Sequence, residues 1–436
     1  MGWNDLVRDD SRRIRVLRPL IYGVDRRDNM AFGAMYLSRT AYTRRCGVQK
    51  YYSSPVSSRA KRFCWSGNSK TVSEEMSFFN PDQSVFIIAE AGVNHDGEMK
   101  KAMELIEVAK AAGADAIKFQ TFTPALLVTR KAERAAYQKM NVPGEESQFE
   151  MLERLALRED DFRKLKIQSE KSGLTFMSTA FDSPSLHFLS KKLNLSVLKI
   201  PSGEITNGPL LLEYGQADKN IILSTGMCSL REVWQALSVL AFGLLGHENP
   251  STDKFRSAFE SEAGQKKLRS KVTLLHCTTQ YPATYESVNL RAMATLKEHF
   301  GLRVGYSDHT PDIAVSIGAV AIGASVIEKH VTLDNRLPGP DHAASLLPDQ
   351  FVRMVEGIRS VEKSLGDGQK VPHPTELENL EVARKSLIAN QPIAKGEKFS
   401  ADNIIAKRPG KGRSPMEFWD LLGEVAAKDY NIDEFI

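Results

Sequence analysis

The sequence predicts an α/β fold, a (β/α)8 TIM barrel followed by a small β-rich domain. Eight apolar, strand-like segments recur between residues 85 and 331, and the segments between them space their apolar residues as amphipathic helices do. Parallel strands that are buried on both faces are almost continuously apolar, as these segments are. A doubly wound open sheet is the alternative, but such sheets rarely contain eight strict repeats, and no GxGxxG motif follows the first strand.

The expected strands alternate with helices along the chain. The strands cover residues 85–92, 116–122, 174–181, 197–204, 221–227, 273–282, 303–309 and 326–331. Helical spacing is clearest over residues 99–114 and 161–173. Two segments interrupt the alternation. Residues 123–150 are expected to form a long charged loop, either a lid or a sugar contact, and residues 243–271 are polar and are expected to contain a surface helix.

Composition divides the chain into four parts. We predict a basic extension over residues 1–73, a barrel over 74–365, a linker with glycine and proline over 366–379 and a small domain over 380–436. In the small domain, apolar and polar residues alternate between short turns, which predicts a β-rich module.

The basic extension contains 15 lysines and arginines against 5 acidic residues, which fits an organelle-targeting sequence or a disordered basic tail equally well.

The four cysteines lack CxxC spacing and fit a reducing compartment better than a disulfide framework. No apolar run reaches the roughly 18 residues of a membrane span, and nothing after the extension resembles a nucleic-acid-binding fold. We therefore expect a soluble intracellular protein, in the cytoplasm or an organelle matrix, that is not secreted and binds neither membranes nor nucleic acids.

Polar side chains occur at the end of every predicted strand. The carboxyl-terminal ends of barrel strands converge on one mouth, where active sites are built. Buried lysine and glutamate are costly unless paired, so packing alone does not explain the pattern, and we interpret the mouth as catalytic. The polar residues at or just beyond the strand ends are Glu90, Asn94, Lys118, Gln120, Ser178, Thr179, Lys199, Ser202, Glu204, Ser224, Thr225, Thr278, Ser307, His309, Glu328 and His330.

Two lysines at this mouth, Lys118 and Lys199, suggest an anion site. Ammonium groups combined with hydroxyl donors suit a phosphate-bearing anion. The alternative is that each lysine pairs with a neighbouring glutamate. The hydroxyl residues that would assist the lysines are Thr179, Ser202, Ser224 and Ser307.

Two histidines, His309 and His330, follow the last two strands, so both imidazoles should lie at the same edge of the sheet. With Glu90 and water they would form a mixed nitrogen and oxygen site for Mn, Mg, Co or Zn. The alternative is a structural or hydrogen-bonded pair. Glu204, after the fourth strand, is a candidate to transfer protons, or else forms a salt bridge with Lys118.

Nine motifs carry a resemblance to a known family. They are IIAEAGVNHDG (87–97), GADAIKFQT (113–121), KIPSGE..N (199–207), ILSTGM (222–227), LLHCT..YP (274–282), GYSDHT (305–310), IEKHVT (327–332), PGPDH..SL (338–346) and KRPG.G (407–412). Over residues 85–430 the chain closely resembles the sialic acid (N-acetylneuraminate) synthase family, in its bacterial type. The resemblance implies a TIM barrel followed by an antifreeze-like (SAF) domain, which covers the partner's active site in a domain-swapped homodimer.

The resemblance also implies an activity. Phosphoenolpyruvate condenses with N-acetylmannosamine and water, giving N-acetylneuraminate and phosphate with cleavage of a C–O bond. A divalent cation, Mn2+ or Mg2+ before others, is implied at His309 and His330, where it polarises the open-chain aldehyde of the sugar. The matched phosphoenolpyruvate contacts are Lys118, Lys199, Ser202, Ser224 and Ser307; Glu204 matches the acid/base carboxylate, Glu90, Tyr281 and Asp341 match positions around sugar and metal, and Arg408 matches a tail arginine that reaches the sugar's N-acetyl group.

Alternatives remain open at this point. A related synthase of legionaminic or pseudaminic acid would use the same catalytic groups, and so would an enzyme for the 6-phosphorylated sugar. A deoxy-octulosonate-phosphate synthase is disfavoured by the tail module. The alternative from another class is a non-catalytic carbohydrate-binding protein.

Overall fold

A computed structural model describes residues 84–142 and 144–436, and their first eight strands close into a barrel in chain order. Every neighbouring pair is parallel, and the first strand pairs with both the second and the eighth. This closure confirms the predicted barrel and excludes an open sheet. The strands are β1 (Phe86–Gly92), β2 (Ala116–Thr121), β3 (Thr175–Ala180), β4 (Val197–Ile200), β5 (Asn220–Ser224), β6 (Val272–Cys277), β7 (Arg303–Asp308) and β8 (Val326–His330).

Helices follow the strands and pack against their outer faces through a large apolar core. Each helix contributes its apolar face to that core. This packing, rather than intrinsic helix propensity, supplies most of the stability of the helices. The α-helices are α1 (Met99–Ala111), α2 (Pro124–Leu127), α3 (Ala136–Asn141), α4 (Gln148–Leu155), α5 (Glu159–Lys171), α6 (Ser183–His187), α7 (Gly208–Gln216), α8 (Leu230–Leu244), α9 (Thr252–Glu260), α10 (Glu262–Lys271), α11 (Tyr285–Val288), α12 (Ala292–Phe300), α13 (Ala314–Ala321), α14 (Pro348–Ser364), α15 (Leu377–Ala383) and α16 (Phe418–Leu421).

The inside of the barrel is closed by a separate apolar layer. Its members are Ile88, Ala116, Met177, Val197, Ile222, Leu275 and Val326, each from a different strand. On the remaining strand, β7, the residue beside this layer is Gly305, where a Cβ would lie 2.4 Å from the Val326 carbonyl oxygen and 2.7 Å from a Leu275 methyl group. Only glycine fits there, and the layer forms a solid floor rather than a pore.

A ring of different chemistry lies two residues further along each strand. Because side chains alternate between the two faces of a strand, this spacing keeps the ring on the inner face, directly above the floor. We call this set the polar ring. Its members are Glu90, Lys118, Thr179, Lys199, Ser224, Cys277, Ser307 and Glu328.

The two segments that interrupt the alternation contain helices. The charged loop after β2 holds α2, α3 and α4, which pack Met151, Leu152 and Leu155 into a small apolar cluster with Val93. The polar segment before β6 holds two helices, α9 and α10, rather than one. The side chains of Ser251 and Ser261 cap their N-termini.

The C-terminal region contains one two-stranded antiparallel sheet, β9 (Ser386–Ala389) and β10 (Ile404–Lys407). Elsewhere in this region, isolated bridges pair Ile393 with Tyr430 and Lys398 with Val425. Its own core contains Leu387, Ala389, Ile393, Phe399, Ile404, Leu421 and Ala426.

The predictions for residues 1–73 and for Cys46 and Cys64 lie outside the described residues. Cys228 and Cys277 are both free thiols. Within residues 84–142 and 144–436, no helix combines the length and the apolar character required to cross a membrane.

Candidate functional site

A cavity of about 440 Å³ opens at the carboxyl-terminal mouth of the barrel, above the polar ring. It brings together nearly all the predicted site residues. Those in its lining are Glu90, Lys118, Thr179, Lys199, Ser202, Glu204, Ser224, Tyr281, Ser307, His309, His330 and Asp341. Arg408 is the exception, since it is exposed in the C-terminal domain, where its Nε donates to the Ala383 carbonyl at 2.9 Å.

The two lysines share one carboxylate at the bottom of the cavity. Lys199 Nζ lies 3.2 Å from one oxygen of Glu328, and Lys118 Nζ lies 3.6 Å from the other. Ser307 donates to the same carboxylate at 3.0 Å, and Lys118 also contacts Glu90. The lysine–glutamate pairing considered as an alternative is therefore present, yet both ammonium groups still line the cavity.

Glu328 is the centre of this network, although its sequence position at a strand end did not identify it as a site residue. A signal was available in the motif IEKHVT, because Glu328 precedes His330 by two residues and must share its face of the strand.

The two buried glutamates of the network differ in acidity. Burial alone would raise the pKa of Glu328, but Lys118 and Lys199 outweigh that effect and hold the pKa at about 2. Burial raises the pKa of Glu90 to about 7, because the loss of water and the charge of Glu328 outweigh the attraction of Lys118. Neighbouring carboxyl groups whose pKa values are pushed apart in this way are suited to different roles.

The hydroxyl groups predicted to assist the lysines also line the cavity. Thr179 accepts a hydrogen bond from Lys118 at 3.2 Å, and Ser202 accepts one from the Gly226 N–H at 2.9 Å. The Ser224 hydroxyl is buried and has no hydrogen-bond partner among the described residues. Buried polar groups are nearly always paired, so Ser224 has a donor to offer to a bound molecule.

The two histidines stand side by side, with ring centroids 5.5 Å apart and the Tyr281 ring 4.2 Å from that of His309. His309 Nδ1 lies 2.7 Å from the Thr278 carbonyl, which fixes this nitrogen as the donor and leaves Nε2 as a free lone pair. His330 Nδ1 is buried without a hydrogen-bond partner among the described residues. Burial lowers the pKa of His309 to about 4 and that of His330 well below its usual range, so both are neutral at pH 7.

Neutral imidazoles with free lone pairs are what a divalent metal requires, and the pair fits such an ion. Among the described residues, no group of three or more His, Cys, Asp or Glu side chains is arranged to hold a metal. Glu90, expected beside the histidines, lies opposite His330 in the pairing of β1 with β8, and its carboxylate contacts Lys118. The nearest carboxylate contact of the pair is with Asp341, whose Oδ2 lies 4.0 Å from His330 Nδ1 and whose pKa burial raises to about 6.

Glu204 lies half-buried at the cavity edge and accepts a hydrogen bond from Asn207 at 2.7 Å, so the salt bridge to Lys118 considered for it is not formed. A carboxylate held by an amide at the edge of the cavity remains available for proton transfer.

One side of the cavity comes from the charged loop. Tyr137, on α3, stacks on Tyr281 with centroids 5.1 Å apart, and no sequence signal indicated its role. Aliphatic residues from the same loop and from α4, which begins in it and continues to Leu155, form an apolar wall. The wall consists of Leu127, Val128, Met151, Leu152 and Leu155.

Comparisons with known families agree with this geometry. The profile of the NeuB family matches residues 105–370, and that of the SAF domain matches residues 384–436. The chain is 44% identical over 354 residues to an N,N'-diacetyllegionaminic acid synthase of Campylobacter jejuni, covering 81% of this chain and 99% of the relative. It is 44% identical over 338 residues to an enzyme of the same name from Legionella pneumophila, covering 78% of this chain and 89% of the relative.

A solved structure is also similar. The N-acetylneuraminic acid synthetase of Leptospira borgpetersenii, in complex with citrate, is 32% identical and superposes with a TM-score of 0.55, covering 69% of this chain and 91% of that chain. The family profile, the similar relatives and the barrel fold all point to the same family. The chain therefore belongs to the NeuB family of sialic acid-type synthases and carries a C-terminal SAF domain.

Proposed function

We propose that this chain condenses phosphoenolpyruvate with an open-chain acetamido sugar and water, giving a nonulosonic acid and phosphate. The enol carbon forms a bond to the aldehyde carbon of the sugar. Water supplies the new oxygen on C2, and phosphate leaves with the original bridging oxygen, so a C–O bond breaks. The observation that carries the proposal is one cavity in which two lysines adjoin two neutral histidines.

The polar ring supplies the phosphoenolpyruvate site. Lys118 and Lys199 offer two positive charges, which are only partly neutralised by Glu328 and Glu90. The hydroxyl groups of Ser202, Ser224 and Ser307 add donors of the kind that phosphate oxygens accept. The floor beneath them excludes water, which strengthens these interactions.

The chain also offers groups that move protons. Glu204 and Glu90 both line the cavity, and a carboxyl group with a pKa near 7, such as Glu90, exchanges protons readily at neutral pH. His309 and His330 would hold Mn2+ or Mg2+, which when bound supplies a Lewis acid for the sugar aldehyde.

We further propose that the acceptor sugar carries two acetamido groups. N-acetylmannosamine, the acceptor expected from the sequence, has one such group and leads to N-acetylneuraminate. The relatives that are 44% identical make an acid with two N-acetyl groups, against 32% identity for the N-acetylneuraminic acid synthetase. Phosphoenolpyruvate contains no nitrogen, so both acetamido groups of such a product must come from the sugar.

One assay separates the candidates. The full chain is incubated with phosphoenolpyruvate, Mn2+ and each of four sugars, namely the diacetamido precursor of legionaminic acid, that of pseudaminic acid, N-acetylmannosamine and its 6-phosphate. Phosphate release and product mass are measured. We expect the highest kcat/KM with the legionaminic precursor. Turnover of another sugar at least tenfold faster would refute the acceptor assignment, and no turnover with any sugar would favour a non-catalytic binding protein.

We propose that the SAF domain acts on the barrel of a second copy, since Arg408 is not part of the cavity of its own chain. Mixing two inactive variants, His309→Ala and Arg408→Ala, tests this. In a swapped dimer the mixture regains activity, because one of the two sites then combines an intact barrel with an intact tail. A mixture that stays inactive while subunits exchange would refute the swap.

A further inference from the structure

We infer that a buried ion pair on the outside of the barrel, Asp308 with Lys329, positions the two histidines of the proposed metal site. The inference rests on the proposed metal-dependent function and extends it to two residues that do not line the cavity. Asp308 Oδ2 and Lys329 Nζ are 2.9 Å apart, and both side chains are 0% exposed. Of the ion pairs among the described residues, this one is the most completely shielded from water.

The position of the pair in the sheet connects it to the site. β7 and β8 are paired in register, with Ser307 opposite Glu328 and Asp308 opposite Lys329. Ser307 and Glu328 point inward, and the next residues, His309 and His330, line the same cavity. The outward ion pair therefore lies between the inward pair Ser307–Glu328 and the two histidines. By fixing the register of β7 against β8, the ion pair would also set the separation of the two imidazoles.

Lys329 reaches beyond the pair to the loop that carries His309. Its ammonium group also donates to the carbonyl oxygen of Thr310 at 2.5 Å and to that of Asp312 at 3.1 Å. All three of its donors are therefore used, and two of them hold the backbone that follows His309.

Asp308 holds the same loop from the other side. One carboxylate oxygen accepts from the Thr310 N–H at 2.9 Å and from its hydroxyl at 2.8 Å, and the other accepts from Ser316 of α13 at 2.7 Å. A fully satisfied buried network of this kind rigidifies its surroundings. A buried ion pair adds little to the stability of a protein, so stability alone does not explain this one. A rigid link between two neighbouring strands does explain it, because two metal ligands on those strands must be held at a fixed separation.

The test compares Mn2+ affinity, measured by titration calorimetry of the metal-free full chain, with thermal stability. Asp308→Asn removes the charge and keeps the shape, and we expect it to weaken Mn2+ binding about 10- to 100-fold, the range for residues that orient metal ligands. Phosphoenolpyruvate affinity in the presence of chelator should change less than Mn2+ affinity, because Lys118 and Lys199 lie on β2 and β4 and, of the proposed phosphoenolpyruvate donors, Ser307 alone adjoins the ion pair.

The matched control is Asp115→Asn, which breaks the ion pair with Arg359 at 3.0 Å before β2, at the opposite end of the barrel. It should lower the melting temperature and leave Mn2+ affinity within about twofold of the parent. Unchanged Mn2+ affinity in Asp308→Asn, or an equal loss in the control, would overturn the inference.

A second variant guards against misfolding. Thr310→Val removes one hydroxyl from the network at nearly constant volume and should weaken Mn2+ binding several-fold; no change would also overturn the inference. If the unmodified protein itself does not bind Mn2+ or Mg2+, the proposed metal dependence fails, a result distinct from a variant that binds as well as its parent.

Discussion

Replacing Glu328 with Gln tests the electrostatics of the polar ring most directly. The substitution keeps the shape and one acceptor but removes the negative charge that two buried lysines share, at 3.2 and 3.6 Å. At an effective dielectric constant near 20, each contact is worth about 5 kcal/mol before desolvation. Breaking a buried ion pair by removing one partner has a net cost of about 3–5 kcal/mol, and we expect the free energy of unfolding to fall by that amount.

The assay is thermal unfolding with and without a bound anion. Inorganic phosphate or phosphoenolpyruvate supplies the missing negative charge, so either should raise the melting temperature more in Glu328→Gln than in the parent protein. Glu204→Gln is the control, because it alters a cavity carboxylate that contacts neither lysine. A Glu328→Gln protein as stable as the parent, or one that gains no more than the parent from phosphate, would refute the account of the ring.

Three further predictions concern single residues of the cavity. The pKa of Glu90 is raised from 4.5 to about 7, so the folded state holds a proton that the unfolded chain has lost, and stability from this group is lost as the pH rises through that window. Urea unfolding between pH 4.5 and 7.5 should show a larger loss in the parent than in Glu90→Gln, which keeps the contribution of Asp341, whose pKa is raised to about 6. Lys199→Ala should mainly raise the KM for phosphoenolpyruvate, and an unchanged KM would contradict its role. His309→Ala should abolish metal-dependent turnover, and full activity of this variant in a chelator would exclude it as a ligand.

The barrel could be predicted from sequence because its signals are local. Each strand is a short apolar run, and each ends in a polar residue that the parallel arrangement brings to one mouth. His309 and His330 could be assigned to one site for the same reason, since consecutive parallel strands end at one edge.

The pairing within the site could not be predicted, because it depends on contacts between distant segments. A glutamate at a strand end has the same sequence signature whether it binds substrate or neutralises a lysine. Glu328 meets Lys118 and Lys199 only through the curvature that closes the barrel, across 210 and 129 residues of chain. The structure of the charged loop could not be predicted either, because α3 has only six residues, too few to show a helical period. Tyr137 reaches Tyr281 only through the packing of α3 in the folded protein.

The C-terminal domain shows how far alternation can be used. Alternating residues between short turns predicted a small β-rich module, which is confirmed, although only β9 and β10 form a continuous ladder. Other apolar residues, such as Ile393 and Phe399, reach the core from turns and isolated bridges. In so small a module, burial of a side chain does not require a paired strand on either side.

The separation of the polar ring from the apolar wall has a consequence for how this family diversifies. The ring, in which we propose that phosphoenolpyruvate binds, is fixed on eight strands over a solid floor, so few substitutions there would be tolerated. The wall comes from a loop after a single strand, and surface loops accept substitutions and insertions far more readily than barrel strands do. We therefore predict that, if the wall contacts the acceptor sugar as proposed, relatives that accept different sugars differ mainly in this one loop.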